Sequence, residues 1–425
     1  MRRRLLAASA CLVLTCARPH AELARADAPK SPPARSSRPA VAVLSPAPVV
    51  APAASRSGPL RAFFSSLQQL GAGTRSEHVR VLWLGDSHTA ADYLSGAVRS
   101  ALAERFGDGG PGFVRIGTKP YRHDGLKLVR DGRWNVDPDP PARRSPQGDG
   151  IFGLAGTRAE PGAGASFSLQ LAPATGAGAD ETASFELSYL LPKGSSFELE
   201  LGEKRLTVGE STSNDVASSG IAHLKLSAPL RSRMLLLPRS GTPRLLNAVV
   251  ERTSKAGVVL DATGIDGARL ETPLAWNEDA LVAEVSRRAP QLLVIAYGTN
   301  EAFDALRVDK YPAQLAELLR RLRRGAPAAS CLVLGPTDAP LGEGSVPRVA
   351  EVAAALQQGA AQQGCSFVSL QQLMGGEGSF ARGMKAKEKL CQNDKLHLTP
   401  RGYQELGRAL GKLLLDAYSA GRADL

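Results

Sequence analysis

Five short apolar runs, mostly separated by helical patterns, constrain this chain more than any other feature. They are Val79–Leu84, Val258–Leu260, Leu292–Ala296, Cys331–Leu334 and Phe367–Leu370. Each is too short for a helix and too uniformly apolar for a half-exposed strand, so each reads as a strand buried on both faces. Helical periods run through Ala275–Arg288, Pro312–Arg324, Pro347–Gln363 and Pro400–Tyr418. Buried strands alternating with helices predict an α/β fold, with about five parallel strands in a three-layer domain covered by helices on both faces.

One stretch breaks the alternation. Residues 138–252 show no helical period; apolar residues instead recur every second position, as in Phe167-Leu169-Leu171, Phe185-Leu187-Tyr189-Leu191 and Phe197-Leu199-Leu201. Gly, Pro, Ser and Asn punctuate these runs. This pattern predicts an all-β sandwich inserted into the α/β domain. Ahead of the first strand, Leu60, Phe63, Phe64, Leu67 and Leu70 mark one more helix, ended by Gly71 and Gly73.

The N-terminus reads as an export signal over residues 1–26. Arg2-Arg3-Arg4 forms its positive start, and the apolar stretch Leu5–Thr15 is too short to span a bilayer. Ala24-Arg25-Ala26 offers a cleavage site, while Cys16 offers lipid attachment as an alternative. Residues 27–58 are rich in Pro, Ala and Ser and read as an extended linker. The expected organisation is then an α/β domain in two parts, 59–137 and 253–425, flanking the insert at 138–252. The expected location is periplasmic or otherwise outside the cytoplasm.

The net charge of +11 does not indicate a nucleic-acid partner. Residues 1–58 hold nine of the 52 Lys/Arg but only Glu22 and Asp27 of the 41 acidic residues, so the body is close to neutral. Cleavage near residue 26 leaves Cys331, Cys365 and Cys391, which allow at most one intramolecular disulfide. Buried thiols are the other reading. No Cys/His spacing resembles a metal site, and no cofactor is expected.

Gly85-Asp86-Ser87-His88 sits where the first strand gives way to a helical pattern beginning at Thr89. A serine on such a corner holds its hydroxyl out on a tight turn. At the start of a helix, free N–H groups and the helix dipole also favour negative charge. That setting suits a nucleophile whose attack creates an oxyanion. Far downstream, Asp394 and His397 supply a carboxylate and a base three residues apart. Gly264-Ile265-Asp266-Gly267 follows the second strand and Gly298-Thr299-Asn300 the third. In a parallel sheet all these loops open onto one edge, where ligands bind, so together they point to a serine hydrolase.

In this order the four elements resemble the four blocks of the SGNH, or GDSL-type, hydrolases. The resemblance covers residues 79–120 and 255–420 and implies a flavodoxin-like hydrolase domain. It places the family's serine at Ser87, its glycine at Gly267 rather than Gly264, its asparagine at Asn300, its histidine at His397 and its carboxylate at Asp394. His88 departs from the leucine of the eponymous motif and agrees with one branch, the peptidoglycan O-acetylesterases. Gly107-Asp108-Gly109-Gly110 and Tyr297-Gly298-Thr299-Asn300-Glu301-Ala302 resemble that branch too. So does the insert, which is similar to carbohydrate-binding jelly-roll modules. The implied catalytic residues are Ser87, Asp394 and His397, with an oxyanion hole from the N–H groups of Ser87 and Gly267 and the Asn300 amide. The implied reaction removes O-acetyl groups from a cell-wall polysaccharide, peptidoglycan first, through an acetyl-serine intermediate. The alternatives are an O-acetyltransferase using the same triad and a non-catalytic glycan-binding protein.

Single residues carry open readings. Asp86 reads as a turn residue, and His88 as a helix-start residue or a substrate contact. Glu301 reads as a substrate ligand or a helix opener, and Trp134 as a sugar-stacking ring or a packing one. Asp304 is a remote rival to Asp394. His78, His123 and His223 show no paired spacing.

Overall fold

The computed structural model describes residues 58–425 apart from 119–120, 143–147, 173–180, 210–214, 218 and 304–306. The expected signal, Cys16, nearly all of the expected linker and Asp304 lie outside the described residues. The five apolar runs form one parallel sheet: β1 (Val79–Gly85), β2 (Val258–Gly264), β3 (Leu292–Ala296), β4 (Ser330–Gly335) and β5 (Ser366–Ser369). Their order across the sheet is 2-1-3-4-5. β1 pairs with β2 from Val79↔Val258 to Gly85↔Gly264, and with β3 from Val81↔Leu292 to Gly85↔Ala296. This is the flavodoxin-like order, in which the chain reverses direction across the sheet beside β1 and opens a crevice at the C-terminal strand ends.

Alternate residues of each strand serve opposite cores. Val81 and Trp83, Val294, and Leu332 and Leu334 pack with helices α1 (Arg61–Gly71), α3 (Leu94–Phe106) and α9 (Pro400–Ser419). Leu82 and Leu84, Leu293 and Ile295, and Val333 pack with α4 (Glu278–Arg288), α5 (Tyr311–Gly325) and α6 (Pro347–Gln362). Three short helices, α2 (Ser87–Ala90), α7 (Leu370–Leu373) and α8 (Ser379–Lys385), lie in the connections. α9 shows how the pattern produces the packing. Leu406, Leu410 and Leu414 recur four apart on its buried face, each contributing about 1.5–3 kcal/mol by burial. A Cβ at Gly407 would come within 2.5 Å of the Leu94 carbonyl oxygen, so this glycine sets how closely α3 approaches.

Between α3 and β2 the chain builds two antiparallel sheets. One joins the strands Ala222–Pro229, Thr182–Leu190, Arg244–Arg252, Arg158–Pro161 and Trp134–Asp137, with Gly112–Arg115 on Arg244–Arg252. The other joins Leu126–Asp131, Ser166–Leu171, Met234–Ser240, Ser196–Leu201 and Lys204–Val208. Phe185, Leu187 and Tyr189 of the first share a core with Phe167, Leu169, Leu199 and Met234 of the second. The strands of this module begin at Gly112, well before residue 138. A chain of buried charges ties it to the parallel sheet. Glu251 accepts from Arg80 of β1 and Arg288 of α4, and Arg288 also donates to Asp261 of β2.

The helical pattern from Thr89 is not one helix. α2 ends at Ala90, Asp92 takes a left-handed conformation (φ 54°), and α3 begins at Leu94. A four-residue helix has little dipole, so a turn, not the start of a long helix, positions this serine. Cys331 and Cys365 form a disulfide, and Cys391 is a buried free thiol.

Candidate active site

β1 delivers Gly85-Asp86-Ser87 to the crevice. Asp86 caps α2, its carboxylate accepting from the His88 backbone N–H at 2.9 Å. It is therefore a turn residue, as expected. Burial pushes its carboxyl up to about 8, opposed by that same N–H. β2 ends in Gly264, where a Cβ would stand 2.3 Å from the Ala90 nitrogen. Only glycine lets the end of β2 lie against α2, and that contact carries the loop with Gly267 up to Ser87.

The carboxylate and base come from a narrow loop before α9. Cys391 and Leu398 bridge across it, and Gln392 N–H donates to the His397 carbonyl at 2.8 Å. Lys395 takes the left-handed conformation (φ 63°) at its tip. One Asp394 oxygen then accepts from the backbone N–H groups of Leu396 (3.0 Å) and His397 (2.9 Å). The other accepts from His397 Nδ1 at 2.8 Å. Burial raises the Asp394 carboxyl, but these donors more than offset it and hold the group below its usual range. With Nδ1–H committed to the carboxylate, Nε2 is the acceptor. The Ser87 hydroxyl donates to it at 2.8 Å. The pair stays accessible: the side chains of His397 and Asp394 are 30% and 44% exposed.

The Asn300 amide donates to the Ala268 carbonyl at 2.9 Å. That bond orients the amide and leaves its second hydrogen free to donate. Ser87, Gly267, Asn300 and His397 line one open cavity of about 480 Å³, together with Asp266, Tyr93 and Tyr403. All five residues singled out from the sequence thus lie at one site. The arrangement can deprotonate a serine hydroxyl, and the second Asn300 amide hydrogen can donate to an oxyanion formed beside it.

Other residues take roles that local sequence does not display. Glu301 neither faces substrate nor merely opens a helix. It is buried, accepting from Gly298 N–H (3.0 Å) and Leu270 N–H (2.8 Å). One carboxylate thus clamps the Asn300 loop to the Gly267 loop. Burial pushes it up to about 7, opposed by those N–H groups. Arg115, buried, donates to the Gly264 carbonyl under the same loop. His88 is buried, shares a 2.9 Å hydrogen bond with Tyr403 and lies 5.4 Å from the His397 ring. Burial, and then the nearby His397 charge, lower it to about 3, so it packs behind His397 as a neutral ring.

Trp134 is buried edge-on against Phe167, and its indole N–H donates to the Asp131 carbonyl at 3.0 Å; it is a packing residue. His78, His123 and His223 are core histidines. His78, for example, bridges Arg252 and Gly257.

Residues 232–405 match the GDSL-like Lipase/Acylhydrolase family. The chain carries a GDSL-like lipase/acylhydrolase domain. The match takes in Gly267, Asn300, Asp394 and His397; β1 brings Ser87 to them from outside it. A solved structure of a peptidoglycan O-acetylesterase is 23% identical, with a TM-score of 0.70 over 86% of this chain and 97% of its own. The two share a fold. A lipase/acylhydrolase from Enterococcus faecalis is 22% identical, with a TM-score of 0.28 over 37% of this chain and 76% of its own. No curated protein matches the sequence. With this domain and its serine–histidine–carboxylate geometry, the chain is a carboxylic ester hydrolase.

Proposed function

We propose that this esterase works outside the cytoplasm and removes O-acetyl groups from a cell-wall polysaccharide, with peptidoglycan as the favoured substrate. The observation that carries the proposal is the unbroken Ser87–His397–Asp394 hydrogen-bond chain on an open cavity shared with Gly267 and Asn300. Ser87 Oγ attacks the acetyl carbonyl while His397 Nε2 takes the hydroxyl proton, and Asp394 steadies the imidazolium. The carbonyl oxygen becomes an oxyanion facing the Ser87 and Gly267 N–H groups and the Asn300 amide. As the C–O bond breaks, His397 returns the proton to the departing sugar oxygen. Water, deprotonated by His397, then attacks the acetyl-serine and releases acetate.

The accessible triad and wide cavity favour an acetyl group carried on a bulky polymer. The shared fold with a peptidoglycan O-acetylesterase supports the same reading. Export rests on Arg2-Arg3-Arg4 and the short apolar stretch after it, and the Cys331–Cys365 disulfide fits an oxidising compartment. Signal cleavage would fall near residue 26, with lipid attachment at Cys16 as the alternative.

The test is acetate release from acetylated peptidoglycan, acetylated xylan and a small aryl acetate, with and without a deacetylated glycan acceptor. We expect kcat/KM on peptidoglycan to exceed that on xylan by roughly tenfold or more. Equal rates on the two polymers would contradict the substrate assignment, and acetyl transfer to the acceptor would indicate a transferase.

A further inference from the structure

The catalytic cavity does not end at Tyr93. That residue also lines a second cavity of about 270 Å³, set between α3 and α9. Ser100, Glu104 and Asp124 line both this cavity and a third, of about 400 Å³, which reaches Arg252 and the inserted sheets. The three follow one another along α3 as a trough in three parts, neighbours sharing lining residues, and the thirteen residues of that helix span about 20 Å. Its walls are held in place. Arg122 stacks over the Tyr93 ring at 4.0 Å and donates to the Ala91 carbonyl, while Asp108 and Glu181 hold Arg252.

We propose that this trough is the extended binding site for the glycan strand bearing the acetyl group. The strand would run from Ser87 past Tyr93 towards Arg252, with the inserted module as its far wall. The proposal rests on the polysaccharide reading above. Glu104, Gln404 and Arg408 reach the trough, and none has a side-chain partner among the described residues. Such groups suit sugar hydroxyls, which both donate and accept. Both signs of charge occur along the trough, which does not favour a polyanion. An aromatic ring at its mouth suits the apolar face of a pyranose.

The test blocks the trough away from the chemistry. Ser100 is exposed on α3, and its hydroxyl bonds only its own helix, at Gly96. Ala103 lines the trough further from Ser87. Ser100→Trp and Ala103→Trp would each be assayed on a small aryl acetate and on an acetylated glycan oligomer of several sugars. We expect aryl acetate turnover to stay within about twofold of wild type and kcat/KM on the oligomer to fall roughly tenfold. Two results would overturn the trough: unchanged oligomer turnover in both variants, or equal losses on both substrates. If wild type cleaves the aryl acetate but no acetylated glycan, the polysaccharide reading fails and the trough fails with it.

Discussion

Ser87 takes its proton acceptor from outside its own loop: His397 lies 310 positions along the chain. What each residue contributes here depends on a partner that fixes it. Asn300 is oriented through Ala268 and can spend its second amide hydrogen on an oxyanion. Asn300→Ala should lower kcat by roughly 100- to 1,000-fold with little change in KM, as measured by steady-state kinetics on an aryl acetate. A larger rise in KM than fall in kcat would assign the amide to ground-state binding. Glu301 makes a pH prediction. Its folded carboxyl titrates at about 7, well above an unfolded glutamate at about 4.3. Between those values the folded protein keeps a proton that the unfolded chain has released. This contribution to stability is full below the unfolded value and is lost as pH rises towards 7. Glu301→Gln removes the titration. The stability advantage of wild type over this variant should therefore shrink from about pH 5 to about pH 8 in denaturant unfolding. A difference independent of pH would contradict the burial argument.

At the scale of elements, what the sequence displays depends on how local the cause is. The five strands and long helices were legible because burial on one or two faces leaves a period in the residues themselves. The site loops were legible because each is a short motif at a strand end. The start of the inserted module was not. Gly112–Arg115 is buried throughout, so it shows no alternation, and Trp134–Asp137 is only four residues long. The break between α2 and α3 was hidden because Thr89–Leu102 keeps an apolar pattern across it. Its one local signal is Asp92, a residue type that tolerates the left-handed conformation. Glu301, Arg115 and His88 act through partners 31, 149 and 315 positions away, which no local pattern marks. The disulfide belongs to this scale as well. It links β4 to the residue before β5 across a separation of 34 positions. By the chain-entropy account, closing such a loop stabilises by about 4 kcal/mol. Cys331→Ser with Cys365→Ser should lose most of that in denaturant unfolding, and added reductant should not destabilise the double variant further. A double variant as stable as oxidised wild type would remove the disulfide from the account.

The whole molecule explains why distant pieces meet. The 2-1-3-4-5 order sets β1 between β2 and β3, so the loops with Ser87, Gly267 and Asn300 leave the sheet side by side. A long excursion between β1 and β2 does not disturb their register, because β2 is an edge strand and its far side is free of the sheet. The excursion is anchored on its return by Glu251 to Arg80 and Arg288. Its own strands help wall the trough that starts at the catalytic cavity. Ester hydrolysis at this site depends on Ser87 being the residue that carries the acyl group. The most direct measurement is ester hydrolysis by Ser87→Ala, together with rapid-quench mass mapping of wild type. We expect an acetyl group on the Ser87 peptide of wild type and loss of turnover in a variant that unfolds like wild type. Wild-type turnover in folded Ser87→Ala, or an acetyl group mapped to another residue, would contradict it.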